Sequence, residues 1–265
     1  MKNSRQKQGQ KGFSLAELLV SSVIFLLLAG AAFSLVGTSS QRFKTDSQIL
    51  TSFQEARLGI DQISRDISDA GFPPQNHFNT AVAPLTPATS YAASPFAWAP
   101  GYPVPCTTGG TCTTPSAFDL IIETDYDGTG VKWIRYQLPA GQTTLFRAVV
   151  PKTAGDPDLS TTGAAILLPY IQNVMNNATG AQIATIRAAY PNMFPGGNPV
   201  PVFTYTTDAP SAALAGGCTA ILNAPCNIRD VNIILIVQTI SRDAKTEALR
   251  LVELRGLAHR VNPAQ

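Results

Sequence analysis

Residues 11–36 read KGFSLAELLVSSVIFLLLAGAAFSLV, and the reading of this stretch decides the fold. Phe13 to Val36 is a nearly unbroken apolar run of 24 residues. At ~1.5 Å per residue, a helix of that length covers ~36 Å, enough to cross a bilayer with some tilt. One charge interrupts it, Glu17. A carboxylate at the centre of a bilayer helix costs ~2.5–3.5 kcal/mol even on lenient insertion scales. Lys2, Arg5, Lys7 and Lys11 precede the run with no acid among them. The positive-inside rule keeps these cations in the cytoplasm and sends the C-terminal bulk outward.

A plain signal anchor explains the length and the flanking cations but leaves Glu17 without a purpose. A secretory signal peptide cut near Ala29-Gly30-Ala31 has the same difficulty. The stretch Lys11-Gly12-Phe13-Ser14-Leu15-Ala16-Glu17-Leu18-Leu19 resembles the type IV prepilin signal. The resemblance implies that a membrane peptidase cuts between Gly12 and Phe13, that Phe13 is N-methylated, and that the apolar segment is retained. Glu17 becomes the fifth mature residue. Cleavage creates a cation, the Phe13 α-amine, and in a filament Glu17 of one subunit can meet the amine of a neighbour. Such pairing offsets the cost of burying either charge alone, so Glu17 is expected to act in subunit assembly.

Beyond the apolar run the helical pattern continues. Ile49, Phe53, Ala56, Ile60, Ile63, Ile67 and Ala70 follow a 4,3,4,3,4,3 spacing, one apolar stripe for docking on a sheet. Arg57, Asp61, Arg65 and Asp69 alternate in sign on another face, which reads as solvated. Gly71 suits a C-cap, and Pro73-Pro74 forbids continuation, so one helix is expected from Phe13 to about Ala70. Residues 54–72, QEARLGIDQISRDISDAGF, resemble the corresponding helix of PilW-type minor pilins and J-type pseudopilins through Ala56-Arg57, Arg65-Asp66 and Ala70-Gly71-Phe72.

Strands are expected at 117–124, 131–138 and 143–150, with the turn DYDGTG at 125–130. The strand, acidic turn, Tyr136-Gln137-Leu138 and Leu145-Phe146-Arg147 order resembles the same families. A short helix is expected at 181–190, a strand at 202–206, and a closing hairpin of central strands at 230–240 and 247–261. The resulting fold class is α+β and pilin-like: a long N-terminal helix packed on an antiparallel β-sheet head with long loops. The organisation is a leader at 1–12, a transmembrane and filament-core helix at 13–36, an amphipathic helix at 37–71, a Pro-rich loop region at 72–116 and a β-rich periplasmic head at 117–265. Tyr91, Phe96, Trp98 and Tyr102 in the loop region are candidate contact residues, or an aromatic patch folded back on the head.

Without the first four cations the chain holds 15 basic against 17 acidic residues, so no basic excess points to nucleic acid. Cys106, Cys112, Cys218 and Cys226 lack zinc spacing, and an exported head makes disulfides the natural reading. Three pairings are open; easier closure between near neighbours favours Cys106–Cys112 and Cys218–Cys226 over the others, with free thiols as the alternative. Glu123, Asp125 and Asp127 beside Gly128 and Gly130 could hold calcium, although an ordinary hairpin turn explains the same residues. No nucleotide, hydrolase or metalloprotease signature occurs, and His77 and His259 are the only histidines to serve as a base. The expectation is a non-enzymatic, PilW-like minor pilin of the inner membrane that works in pilus assembly. Its partners would be other pilins or pseudopilins, the prepilin peptidase and membrane lipid. A J-type pseudopilin of a type II secretion system and a membrane-anchored periplasmic binding or adhesion module are the alternatives.

Overall fold

The computed structural model describes residues 14–74, 89–97, 115–153, 157, 167–177, 184, 186–188, 190–207, 227–239, 242 and 249–261. A single helix, α1, runs from Leu15 to Ser68, 54 residues. At ~1.5 Å per residue it is ~81 Å long. Its first part, from Leu15 through Val36, is solvent-exposed in the isolated chain at every residue but the half-buried Ala29. The hydroxyls of Ser21 and Ser22 donate to the carbonyls of Glu17 and Leu18. These hydroxyls are thus satisfied within the helix, as a lipid environment demands. The outer part carries the expected stripe. Ile49 and Phe53 are half-buried, while Ala56, Ile60, Ile63, Ile67 and Ala70 are buried. Arg57, Asp61, Arg65 and Asp69 lie on the more exposed side, as expected.

Both helix ends differ from expectation. The first helical residue is Leu15 rather than Phe13, because Ser14 is the N-cap. The helix stops at Ser68, two residues short of Ala70. Asp69, not Gly71, is the C-cap. The last turn tightens, with the Asp69 N–H donating to Arg65 O and the Ala70 N–H to Ile67 O. Gly71 takes the positive φ of 83° that turns the chain away.

The strands are β1 (Phe96–Ala97), β2 (Asp119–Thr124), β3 (Lys132–Gln137), β4 (Leu145–Pro151), β5 (Leu168–Ile171), β6 (Phe203–Thr207), β7 (Ile228–Gln238) and β8 (Leu251–His259). They form two antiparallel sheets rather than one: β1-β2-β3-β4-β5 and β6-β7-β8. Backbone bonds stitch the two together, from Met175 N–H to Ile236 O and from Gln238 N–H to Asn173 O. The β2–β3 turn is the expected hairpin, with Gly128 and Gly130 at positive φ. The closing hairpin β7–β8 also forms, yet among the described residues only β7 is central and β8 is an edge of its sheet.

The docked part of α1 packs chiefly on β8 and β7, with β5 and β2 beside them. One core joins its stripe to Leu120, Ile122, Ile134, Tyr136, Leu138, Leu145, Val231, Ile233, Leu235 and Val237. The other face of the five-stranded sheet is buried too: Ala97, Ile121, Trp133 and Val150 form a second cluster there, with Ala93 packed against it. Of the two readings of the loop aromatics, the patch folded back on the head holds for Tyr91 and Phe96: they are 6% and 0% exposed, within a strap at 89–97 that packs on the head. Trp98 and Tyr102 lie outside the described residues. Around the expected 181–190 helix, Ala184 and 186–188 are helical, and Tyr190 N–H donates to Ile186 O.

Candidate functional site

The N-terminal end of α1 is built from its first few residues. Ser14 is extended, at φ −70° and ψ 142°, and its hydroxyl accepts from the Ala16 N–H at 3.3 Å. The Glu17 carboxylate reaches back, accepting from the Ser14 N–H at 3.0 Å. The run Ser14-Leu15-Ala16-Glu17 is thus a capping box. Glu17 therefore sits in the first turn, where the helix dipole favours a negative charge. Ala16, Glu17, Val20, Ser21 and Ile24 line a shallow groove on this flank. Gly12 and Phe13, the expected cleavage and methylation residues, lie outside the described residues, as do Cys106, Cys112, Cys218, Cys226 and His77.

The second part of the site is the seam between α1 and the head. The Tyr136 hydroxyl donates to Asp66 Oδ2 at 2.6 Å, and Arg147 Nη2 donates to the same oxygen at 3.0 Å. Arg147 Nε donates to the Tyr136 hydroxyl at 2.9 Å, and Gln62 Nε2 to Asp66 Oδ1 at 2.7 Å. Burial, reinforced by the Asp66 charge, pushes the Tyr136 phenol far above its usual range. Burial works against the Arg147 cation, but Tyr136 and Asp66 outweigh it and hold the guanidinium protonated. The three residues come from the Arg65-Asp66, Tyr136-Gln137-Leu138 and Leu145-Phe146-Arg147 runs of the sequence. Sequence reasoning quoted those runs but gave their polar members no task.

Contact between helix and sheet is close. A Cβ on Gly59 would stand 2.4 Å from Ile171 Cδ1, and one on Gly256 would stand 2.4 Å from Ile60 Cγ2. Side chains other than glycine would push the layers apart at both points.

The acidic turn is divided between two environments. Glu123 is fully buried on β2, where Lys152 Nζ donates to it at 2.5 Å and the Ala93 N–H at 2.7 Å. The same Lys152 donates to Tyr91 O at 2.8 Å, so the pair fastens the strap to the sheet. Asp127 instead bonds Lys132 and Thr129 at the surface; the Lys132 bond comes first among the causes that hold its carboxyl at about 2. Asp125 uses its backbone N–H to bind Phe72 O. Among the described residues no three His, Cys, Asp or Glu side chains come together to hold a metal ion. His259 faces Asp230 across β7 and β8, at 2.5 Å between Nδ1 and Oδ1.

Comparison with known families matches residues 7–33 to the prokaryotic N-terminal methylation motif. Neither the curated proteins nor the solved structures give a match. The matched residues contain Gly12, Phe13, Ser14 and Glu17 and most of the apolar run. The chain thus carries a prepilin-type signal, as type IV pilins and pseudopilins do. Its long N-terminal helix and antiparallel sheets fit the α+β pilin-like architecture, and the apolar half of α1 fits a single-pass inner membrane protein.

Proposed function

We propose that this chain is a PilW-like minor pilin: a prepilin cut between Gly12 and Phe13, methylated on Phe13 and built through α1 into the complex that initiates a type IV pilus. The observation that carries the reading is the methylation motif at 7–33 placed on a helix that continues without a break into a sheet-bearing head. In this arrangement the apolar half of α1 holds the subunit in the inner membrane and then in the filament core, while the head stands in the periplasm. Glu17 joins assembly by pairing with the α-amine of a neighbouring Phe13. The role is structural, and the partners are other pilins and the prepilin peptidase. The same parts suit a J-type pseudopilin of a type II secretion system.

Mass spectrometry of the native N-terminus tests the processing. A chain starting at methyl-Phe13 supports the reading, whereas a functional chain retaining residues 1–12 overturns it. Deleting the gene then separates the machines: loss of surface pili supports the minor pilin, and intact pili with lost protein secretion supports the pseudopilin.

A further inference from the structure

We propose that residues 37–47 are an extensible joint in α1, a stretch that opens to coil while the helix on either side stays folded. The stretch reads GTSSQRFKTDS. Seven of its eleven residues are Gly, Thr, Ser or Asp. Glycine loses the most backbone freedom in a helix, threonine loses χ1 freedom, and serine and aspartate bond nearby backbone groups in other conformations. A helix of this make-up leans on its surroundings, since most helical stability in proteins comes from packing an apolar face. The two flanks have such support. The apolar run ends at Val36 and, in lipid, keeps its backbone bonds within the helix. Ala56, Ile60, Ile63 and Ile67 are buried on the head. From Gly37 to Ser47 every residue is exposed except the half-buried Thr45, and the single aromatic, Phe43, is 75% exposed.

Local bonds do not make up the difference. The Thr38 and Thr45 hydroxyls donate to the Ser34 and Gln41 carbonyls at 2.9 and 3.1 Å, a contact that loosens a helix rather than tightening it. Arg42 and Asp46 are four residues apart, but with the cation nearer the N-terminus, the less favourable order. A Cβ on Gly37 would meet nothing within 4 Å, so no close approach calls for glycine at the point where the apolar run ends. In water the backbone groups released by opening find new partners at once, whereas in lipid they would find none. Opening is therefore confined to this stretch. Helical, its eleven residues rise ~16 Å; extended, they reach ~36 Å. Opening lets the head swing, and stand up to ~20 Å farther from the membrane, while its own packing and the anchor stay intact. The joint presupposes that the apolar half of α1 lies in lipid.

Hydrogen exchange of the full chain in detergent micelles, read by mass spectrometry, tests the joint. Amides 41–47 are expected to exchange about 100-fold or more faster than those of 20–34 and 58–66, because local opening costs range from almost nothing up to the global stability. The variant G37A/T38A/S39A/S40A, changed only at exposed positions, should slow exchange at 41–47 by about tenfold or more and leave 58–66 unchanged. Exchange at 41–47 as slow as in both flanks overturns the proposal, and so does unaltered exchange there in the quadruple variant. Fast exchange throughout 20–47 beside a protected 58–66 overturns it in a different way: the apolar run is then not held in lipid, and the anchor has failed rather than the joint alone.

Discussion

Lys152→Met should unfasten the strap and lower the stability of the head by about 3–5 kcal/mol, the cost of breaking a buried pair and leaving one charge behind. Both partners are fully buried, with side-chain exposures of 0% and 0%. Without the ammonium, Glu123 keeps the Ala93 N–H at 2.7 Å and the Trp133 Nε1–H at 3.4 Å. Those two donors partly stabilise the carboxylate, so the lower end, about 3 kcal/mol, is expected. For a domain of this size each kcal/mol moves Tm by about 2–4 °C, giving a loss of about 6–12 °C. Circular dichroism melts of the full chain in micelles would measure it. A second change, Glu123→Gln added to Lys152→Met, removes the stranded charge while its amide oxygen can still accept from Ala93. That double variant should recover all but about 1 kcal/mol, the worth of the missing bond to Tyr91 O. A Lys152→Met protein that melts within about 2 °C of wild type, less than one kcal/mol on this scale, would refute the reasoning. So would a double variant no more stable than the single.

Three further substitutions probe the helix seam and the acidic turn. Ile63→Ala deletes a side chain with 0% exposure at the helix–sheet seam and should cost about 2–5 kcal/mol by chemical denaturation. Gly256→Ala forces a methyl to within 2.4 Å of Ile60 Cγ2 and should cost about 1–3 kcal/mol, with partial rescue by Ile60→Leu, which lacks the Cγ2 methyl. The Asp127 carboxyl should titrate at about 2 by NMR, held down by Lys132, and Lys132→Met should move it toward the usual ~3.9. The sign is that of a depressed acid: its small stabilising share is complete above ~4 and fades as the pH falls toward 2.

Periodicity made α1 readable, because one face of a helix repeats every three or four residues whatever it touches. The β2–β3 hairpin was readable from Asp127-Gly128 between apolar runs. What escaped was anything decided by a partner distant in sequence. Asp66 follows the surface residue Arg65, and only β3 and β4 reveal that it points inward. Glu123 looked like one of three loop carboxylates, yet both faces of its sheet are covered and Lys152 waits 29 residues away. The strand at Leu168–Ile171 is short, contains Pro169 and carries no alternation, so nothing local announces it. Tyr91 and Phe96 read equally as exposed contacts or as a patch folded back on the head, because no local sign shows that the strap packs there.

Glu17 shows how a local motif changes the energetics of the residue to which the proposed function gives the assembly role. The penalty of about 2.5–3.5 kcal/mol belongs to a charge at the middle of a bilayer helix. Here the carboxylate stands at the third position of α1, and the long apolar stretch follows it rather than surrounding it. In a bilayer it would stand toward the N-terminal end of the span rather than at its middle. There it also accepts the Ser14 N–H, which a helix start leaves unsatisfied. A capping contact of this kind contributes on the order of 1 kcal/mol. The isolated subunit can thus hold Glu17 in the membrane with part of its cost already offset. In the proposed filament a neighbouring α-amine would add a full opposite charge, a stronger attraction than a neutral N–H in a medium of low dielectric. On the proposed reading, a weak bond within the chain precedes a stronger one between chains, an order that would keep the single subunit tolerable and make the filament preferable.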